Sequence, residues 1–482
     1  MSAVPPSVSG ASAGDGTARP SPAADAEQAL YEVRRKVYPR AVTGWYARWR
    51  WILVWATQLV FYGLPWLSWG ERPAVLFDLE ARRFYLFGLV LYPQDFIYLT
   101  ELLVISALGL FLFTTVAGRL WCGYACPQTV YTELFMWIER RIEGDRTARM
   151  RLDRAPMSLQ KFARKSAKHL AWIVVALWTG ITFVGYFTPI DQLLAAAATF
   201  TLGPWQSFWV LFYGFATWGN AGFMREQVCK YMCPYARFQG VMFDKDTMVI
   251  TYDRERGEPR GSRSRKADPA SLGLGSCVDC NICVHVCPTG IDIRDGLQIE
   301  CIGCAACIDG CDQVMDKMGY PRGLIRYTTQ NALDNKLDRR AVWRRVLRPR
   351  VLLYSAVLLA VTIALFAHLA LRAPLKADVM RDSALGREVE EGMIENSYRV
   401  QIINSSEQAR RFRVVASGID TVFIVGETEF EVEPTGVRLV PVSARVEPGE
   451  GQPGSNPITF RVEAVDDPKV TVDAHSTFFV PR

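Results

Sequence analysis

The chain of 482 residues is long enough for two or three ordinary domains. Half of its residues are hydrophobic and 12% are aromatic, including 14 Trp, which excludes both an ordinary soluble protein and one lying wholly within a bilayer. The net charge of +6 is too small to indicate nucleic acid, so the placement of charge says more than its sum.

Residues 1–30 are dominated by Ala, Ser, Pro and Gly and lack the apolar h-region of a signal peptide, so a disordered tail is expected there. A membrane domain is expected over 31–224. Its apolar runs lie near 50–69, 96–118, 169–190 and 204–224, and a fifth run covers 351–371. Each approaches the roughly 20 residues that cross a bilayer as a helix. A shorter run, FYLFGLVLY at 84–92, is too short to span and is expected to lie at the membrane interface or to re-enter.

Lys and Arg set the orientation. Seven precede the first span, three lie in 70–95 and none in 191–203, against eleven in 119–168. Cationic loops stay on the cytoplasmic side, so the N-terminus, 119–168 and the basic stretch 225–350 are expected inside. Five spans then send the C-terminus outside. Within 225–350 the reading is a cytoplasmic connector (225–276), a two-cluster ferredoxin-like segment (277–320) and a basic linker (321–350). The fifth span is placed at 351–372. Beyond it, 376–482 alternates β-formers with polar residues between Gly, Pro, Asn and Asp turns, the pattern of an immunoglobulin-like β-sandwich. The fold class expected is therefore a polytopic α-helical membrane protein with a cytoplasmic ferredoxin-like segment and a periplasmic sandwich.

All 12 cysteines fall in patterned groups on the side expected to be cytoplasmic. Cys277-x2-Cys280-x2-Cys283-x3-Cys287-Pro288 is followed by Cys301-x2-Cys304-x2-Cys307-x3-Cys311, with Asp312 in the place of the proline. In two-cluster ferredoxins the fourth cysteine of each unit ligates the other cluster. One [4Fe-4S] cluster is therefore assigned to Cys277, Cys280, Cys283 and Cys311, and the second to Cys301, Cys304, Cys307 and Cys287. Structural zinc favours two cysteine hairpins separated by a loop, and disulfides are disfavoured in a reducing cytosol. His285, among these cysteines, reads as a packed or exposed residue.

The remaining four form two copies of Cys-x3-Cys-Pro, Cys122/Cys126 and Cys229/Cys233, following the second and fourth spans. On a helical turn i and i+4 share a face. Two such faces offer four thiolates, suited to an additional Fe–S cluster or to copper; the alternative is small buried residues closing helix ends. Met224, Met232 and Met242 flank the second pair, where methionine more commonly fills gaps. No haem-attachment or dinucleotide-binding motif occurs. His169 and His368 fall at opposite ends of their spans, about 25 Å apart in depth by the helical rise, too far to hold one haem iron.

The segments FYLFGLVLYPQDF, RLWCGYACPQTVYTELFMWIERRIEG, CKYMCPYARFQGVMFD and YDRERGEPRG, with the ferredoxin unit, fifth span and sandwich, closely resemble the FixG/CcoG/RdxA family of cytochrome oxidase accessory proteins. The resemblance runs from residue 31 to the C-terminus. Cys-x3-Cys-Pro polyferredoxins of the nitrate and nitrous oxide reductase systems share the motifs without this tail. The resemblance implies a multi-pass protein of the bacterial inner membrane, acting in assembly of the cbb(3)-type cytochrome c oxidase by reducing Cu(II) to Cu(I). The partners it implies are membrane lipid, copper, oxidase assembly factors and an unidentified electron donor, with no nucleic acid. It leaves the catalytic residues unknown and a homodimer open. The alternatives are a membrane electron conduit to a quinone or periplasmic partner, and a non-redox assembly scaffold.

A reporter fused after Arg482 should be active only in a periplasmic form, and one fused after Asp246 only in a cytoplasmic form. The reverse pattern would mean that the number of spans has been misjudged.

Overall fold

Five helices run between two ends of the molecule: α1 (Trp45–Gly63), α2 (Phe96–Ala117), α3 (Leu159–Val184), α4 (Pro204–Thr217) and α5 (Pro349–Ala370). The computed structural model describes residues 36–70, 72–382 and 386–481; the segment expected as a disordered tail lies outside them. Among the described residues, three helices are long and apolar enough to cross a membrane: Pro93–Ala117, which is α2 with its leading turn, α3 and α5. α4 continues as a π-helix from Trp218 to Met224.

Hydrogen bonds at the helix ends fix their alternation. At one end, Met248 N–H donates to Val116 O in the last turn of α2, and Arg348 before α5 reaches Thr115 O. The Asp309 carboxylate caps the start of α1 there, accepting from Ala47 N–H at 2.7 Å. At the other end, Phe77 N–H donates to Tyr186 O just past α3, and Gln206 of α4 lies beside Thr188. The cysteine-rich segments gather at the first end, and the three-stranded sheet and C-terminal domain at the second.

The run 84–92, too short to span, does not form a helix. It forms the strands Arg83–Leu86 and Leu89–Leu91 of a three-stranded antiparallel sheet, turning at Phe87 (φ 54) and Gly88. Tyr85, Val90 and Tyr92 are buried with Leu76 against Ile403 of the C-terminal domain, so a partner remote in sequence covers this apolar run.

Residues 375–480 form two packed sheets. One runs Phe423–Val425, Val437–Val446, Ile394–Asn404, Leu375–Arg381; the other runs Glu429–Val432, Arg410–Ser417, Gly454–Ala464, Thr471–Val480. Alternate residues point inward: Tyr398, Val400 and Ile402 from one sheet meet Phe412, Phe460 and Phe478 from the other. Burying each Phe contributes about 1.5–3 kcal/mol. Tyr398 O–H donates across the sandwich to Thr477 O at 2.9 Å, satisfying the one polar atom of that buried ring.

Residues 321–350, expected as a basic linker, are folded. Strand Ile325–Thr328 pairs antiparallel with Val249–Tyr252, and helices Gln330–Asp334 and Arg339–Val346 follow. Leu324 and Ile325 are pulled inward because they floor the first cysteine cavity.

Asp95, almost fully buried before α2, joins the β-rich end to the helices. Its carboxylate meets Arg372 Nη2 at 3.1 Å and the Lys376 ammonium, and accepts from Tyr92 N–H at 3.0 Å. Arg372 follows α5 and Lys376 begins the sandwich. Replacing Asp95 with Asn leaves two cations without a counter-ion, which should cost about 3–5 kcal/mol. Denaturant unfolding of the purified protein should read this as a lowered midpoint; an unchanged midpoint would mean that the cluster does not hold the two parts together.

Candidate iron–sulfur and metal site

The two cysteine units bend their backbones alike. Asp279 and Asn281 flank Cys280 at φ 52° and 55°, and Gly303 and Ala305 flank Cys304 at φ 69° and 59°. Left-handed residues in such turns point backbone N–H groups inward, forming concavities that favour anions. Gly303 adopts this freely, whereas the fully buried Ala305 gives up roughly 1–2 kcal/mol. Helix Ala306–Met318 starts at that turn, so its positive N-terminal end lies beside Cys307.

Cys277, Cys280, Cys283 and Cys311 line one cavity, walled by Tyr252, Met315, Leu324 and Ile325. Cys287, Cys301, Cys304 and Cys307 line a second, walled by Ile250, Ile291, Ile293 and Ile302 and bordered also by Cys283. The last cysteine of each unit thus lies with the first three of the other. Both cavities are apolar apart from the thiols and a few polar neighbours. Burial pushes the Cys283, Cys301 and Cys311 thiols up to about 12. Buried thiolates need cations, and the iron of a [4Fe-4S] core supplies them, so the donor set fits the cofactor. Arg294, held by Asp279 and Asp292 at 2.6 Å each, adds positive field at Cys283.

Cys122, Cys126, Cys229 and Cys233 converge in a third group, but not through the helical face expected from their spacing. Cys122 lies in the short helix Leu120–Tyr124, whereas Cys126 is extended (φ −61°, ψ 128°) and caps helix Pro127–Glu143. Cys229 lies in the π-helix Val228–Met232, and Cys233 (φ −81°, ψ 110°) caps helix Pro234–Met242. Pro127 and Pro234 explain this: proline disfavours helix at the preceding residue and suits the first position of the next. Burial first, then the neighbouring thiols, push Cys122 up to about 11 and Cys229 to about 12. Gln239, fully buried on helix Pro234–Met242, has Nε2 3.4 Å from Cys122 Sγ.

Polar contacts hold the two motifs together. Gln128, two residues after Cys126, donates to Asn220 O at 3.0 Å and Arg225 O at 3.1 Å. The Arg225 guanidinium, four residues before Cys229, meets buried Glu139 at 2.9 Å, where Arg149 also binds at 2.9 Å. Although burial opposes it, these two guanidinium groups hold the Glu139 carboxyl below its usual range.

The third group abuts the second cavity. Cys122 and Cys229 pack with Cys304 and Cys307 around Val286, Ile302 and Ala306. Gly123 touches the cysteine loop so closely that a Cβ there would lie 2.8 Å from Cys304 N and Cα and from Gly303 C. Arg119, buried beside it, donates to Ile299 O and Cys301 O of the cysteine loop and to Ala236 O, joining two further segments to its own with one guanidinium. Among the described residues, no three His, Cys, Asp or Glu side chains close tightly enough to hold a single metal ion. The ferredoxin cysteines are included in that statement, and a cubane binds thiolates at the corners of a body larger than one ion.

Sequence reasoning passed over Arg119, Gly123, Gln239, Arg294 and Asp309. One signal was available: the first motif carries Gly123 where the second carries Lys230. His285 offers its backbone O to Arg40 N–H. His169 packs on Trp172 and Phe223, and His368 Nδ1 lies 2.6 Å from Glu101 Oε1.

Three family models match this chain: a "4Fe-4S dicluster domain" over residues 224–330, a "4Fe-4S binding domain" over 100–144, and an "IG-like fold at C-terminal of FixG" over 365–481. The nitrogen fixation protein FixG of Rhizobium meliloti is 41% identical over 422 residues, 81% of this chain and 80% of that protein. Protein RdxA of Cereibacter sphaeroides is 43% identical over 405 residues, 81% of this chain and 84% of that protein. The ferredoxin-type protein NapH of Haemophilus influenzae is 22% identical over 45% of this chain and 68% of its own length. Among solved structures, a FixG-related protein from Vibrio parahaemolyticus aligns with 22% of this chain and 97% of its own, at 24% identity and TM-score 0.21. The chain belongs to the FixG/RdxA family and is an iron–sulfur protein carrying two [4Fe-4S] clusters.

Proposed function

We propose that this protein crosses the membrane five times and passes electrons from its two clusters to a metal centre at Cys122, Cys126, Cys229 and Cys233, reducing Cu(II) to Cu(I) for maturation of a cbb(3)-type cytochrome c oxidase. The observation that carries this reading is that Cys122 and Cys229 pack against the same buried cluster, Val286, Ile302, Cys304 and Ala306, that Cys307 packs against. When bound, the clusters supply single electrons, which is what Cu(II) requires. Cys277, Cys280, Cys283 and Cys311 would hold the first, and Cys301, Cys304, Cys307 and Cys287 the second, the set that adjoins the membrane-edge thiols. Soft thiolates suit both iron–sulfur and Cu(I), and iron analysis decides between them. About twelve iron atoms per chain would make this site a third [4Fe-4S] cluster, a body larger than one ion, whereas about eight would leave it to copper, which would require the four thiols to draw closer together than they stand here.

Five spans are supported by the alternation of the helix ends and by the apolar side chains exposed on the two helices whose crossing is in question, Leu59 and Val60 on α1 and Leu211 and Phe215 on α4. With Lys and Arg concentrated at the cysteine-rich end, that end is cytoplasmic and the sandwich periplasmic, where it is free to meet oxidase assembly factors. An electron conduit without copper specificity is the competing reading, and dependence on copper separates the two.

Chemically reduced, anaerobically purified protein should convert added Cu(II) to Cu(I), followed with a Cu(I)-specific chelator. Cys122→Ser and Cys229→Ser should each abolish this to the same extent, with no further loss in the double variant, because one missing ligand already opens the site. Full activity in both variants, with the ferredoxin clusters intact, would return these cysteines to a packing role.

Gly123→Ala should separate the centres without removing a ligand. The added methyl forces the corner away from the Gly303–Cys304 peptide. Copper reduction should slow, because electron transfer weakens as the distance between centres grows. The EPR signals of both clusters should persist; an unchanged rate would mean that electrons do not pass at this contact.

A further inference from the structure

We infer that the cavity beside the π-helix Trp218–Met224 binds the head ring of a membrane quinone, and that its reduced form feeds electrons to the adjacent four-cysteine site. The electron-transfer half of this inference rests on the reading of those cysteines as a redox centre; the binding half does not. The cavity holds about 250 Å³ and is lined by Lys36, Lys168, Trp172, Phe223, Arg225 and Glu226, among others. A cavity of roughly 150 Å³ already accepts benzene, so this one has room for a substituted six-membered ring.

The backbone around it is unusual in three respects. α4 gives way to π-turns at Trp218–Met224 and again at Val228–Met232, and isolated π-turns favour functional sites. Arg225 between them is a non-glycine residue at φ 38°, a conformation retained only where the surroundings over-determine it. Gly222 lines the cavity because a Cβ there would sit 3.1 Å from the Trp172 ring.

The lining chemistry suits a flat ring with oxygens at opposite ends. Trp172 and Phe223 offer aromatic surfaces, and the Lys168 ammonium and Arg225 guanidinium are donors only. Around Phe223 pack the Trp218 ring, at 4.7 Å between centroids, and the His169 ring, at 5.6 Å. Phe223 is 43% exposed and Phe215, two turns back along the same helix, 70%. An isoprenoid tail leaving the cavity therefore has an apolar surface to follow. Arg225 and Glu226 line this cavity and also a smaller one that reaches Cys229 and Cys304.

In the reaction, both O–H bonds of the hydroquinone break. Two electrons leave singly for the metal centre at the four cysteines, two protons leave to water at this end of the molecule, and the quinone returns to the bilayer. Two Cu(II) ions then take one electron each.

The test uses the full-length holoprotein in phosphatidylcholine nanodiscs, with decylubiquinone as ligand and an azido-quinone as photolabel. Saturable binding near one per chain is expected, with labelled peptides from 218–226 or 168–172. Phe223→Ala should weaken binding by about tenfold, the scale of one aromatic stacking contact, and Lys168→Gln should weaken it also. Cys122→Ser should bind normally yet no longer pass electrons from decylubiquinol to copper, so failure of the metal-site reading leaves the binding result intact. Non-saturable partition, labelling elsewhere, or equal binding in Phe223→Ala and Lys168→Gln would overturn the site. Displacement of the photolabel by an anionic lipid but not by excess decylubiquinone would assign the cavity to a lipid headgroup and overturn it equally. Saturable binding without reduction of the wild-type metal centre by decylubiquinol would overturn the electron-transfer half.

Discussion

The contact between the Arg119–Gly123 corner and the Gly303–Cys304 peptide governs the rest of the cysteine-rich end. It requires a residue without a side chain at 123 and a left-handed residue at 303, and both positions are glycine. Around it, one buried guanidinium replaces the water that three backbone carbonyls lose. A wider gap would admit solvent between thiols whose burial gives them their soft, low-dielectric surroundings. A tighter one would collide with the backbone of the cysteine loop itself.

The second constraint is the ion cluster at Glu139. Burying a carboxylate is expensive unless it is paired, and here two arginines from different segments share it. Glu139 lies on the helix that Cys126 begins, and Arg225 lies four residues before Cys229. The same electrostatic necessity that draws the charges together therefore fixes the distance between the two cysteine motifs.

Local information carried much of this architecture. The ferredoxin cysteines are legible because cluster ligands come from one short segment, and the sandwich because inward and outward residues alternate in strands such as Gly454–Ala464. The packing of the run 84–92 was not legible, because its hydrophobicity is answered by Ile403, from a domain more than 300 residues away in the chain. The shared face expected for Cys122 and Cys126 failed for a local reason: Pro127 outranks helical periodicity at the residue before it. The same holds for Cys233 and Pro234. Arg119 and Asp309 look like ordinary charged residues until their partners, on other segments, are in place, and Gly123 looks like an ordinary turn glycine.

Asp309 ties together two otherwise separate parts of the molecule. It lies between Cys307 and Cys311 on one helix, and its carboxylate holds the first turn of α1 through Tyr46 and Ala47 N–H. The side chain that stands between two of the ferredoxin cysteines thus also closes the backbone of the first apolar helix, so a displacement of either helix is felt directly by the other.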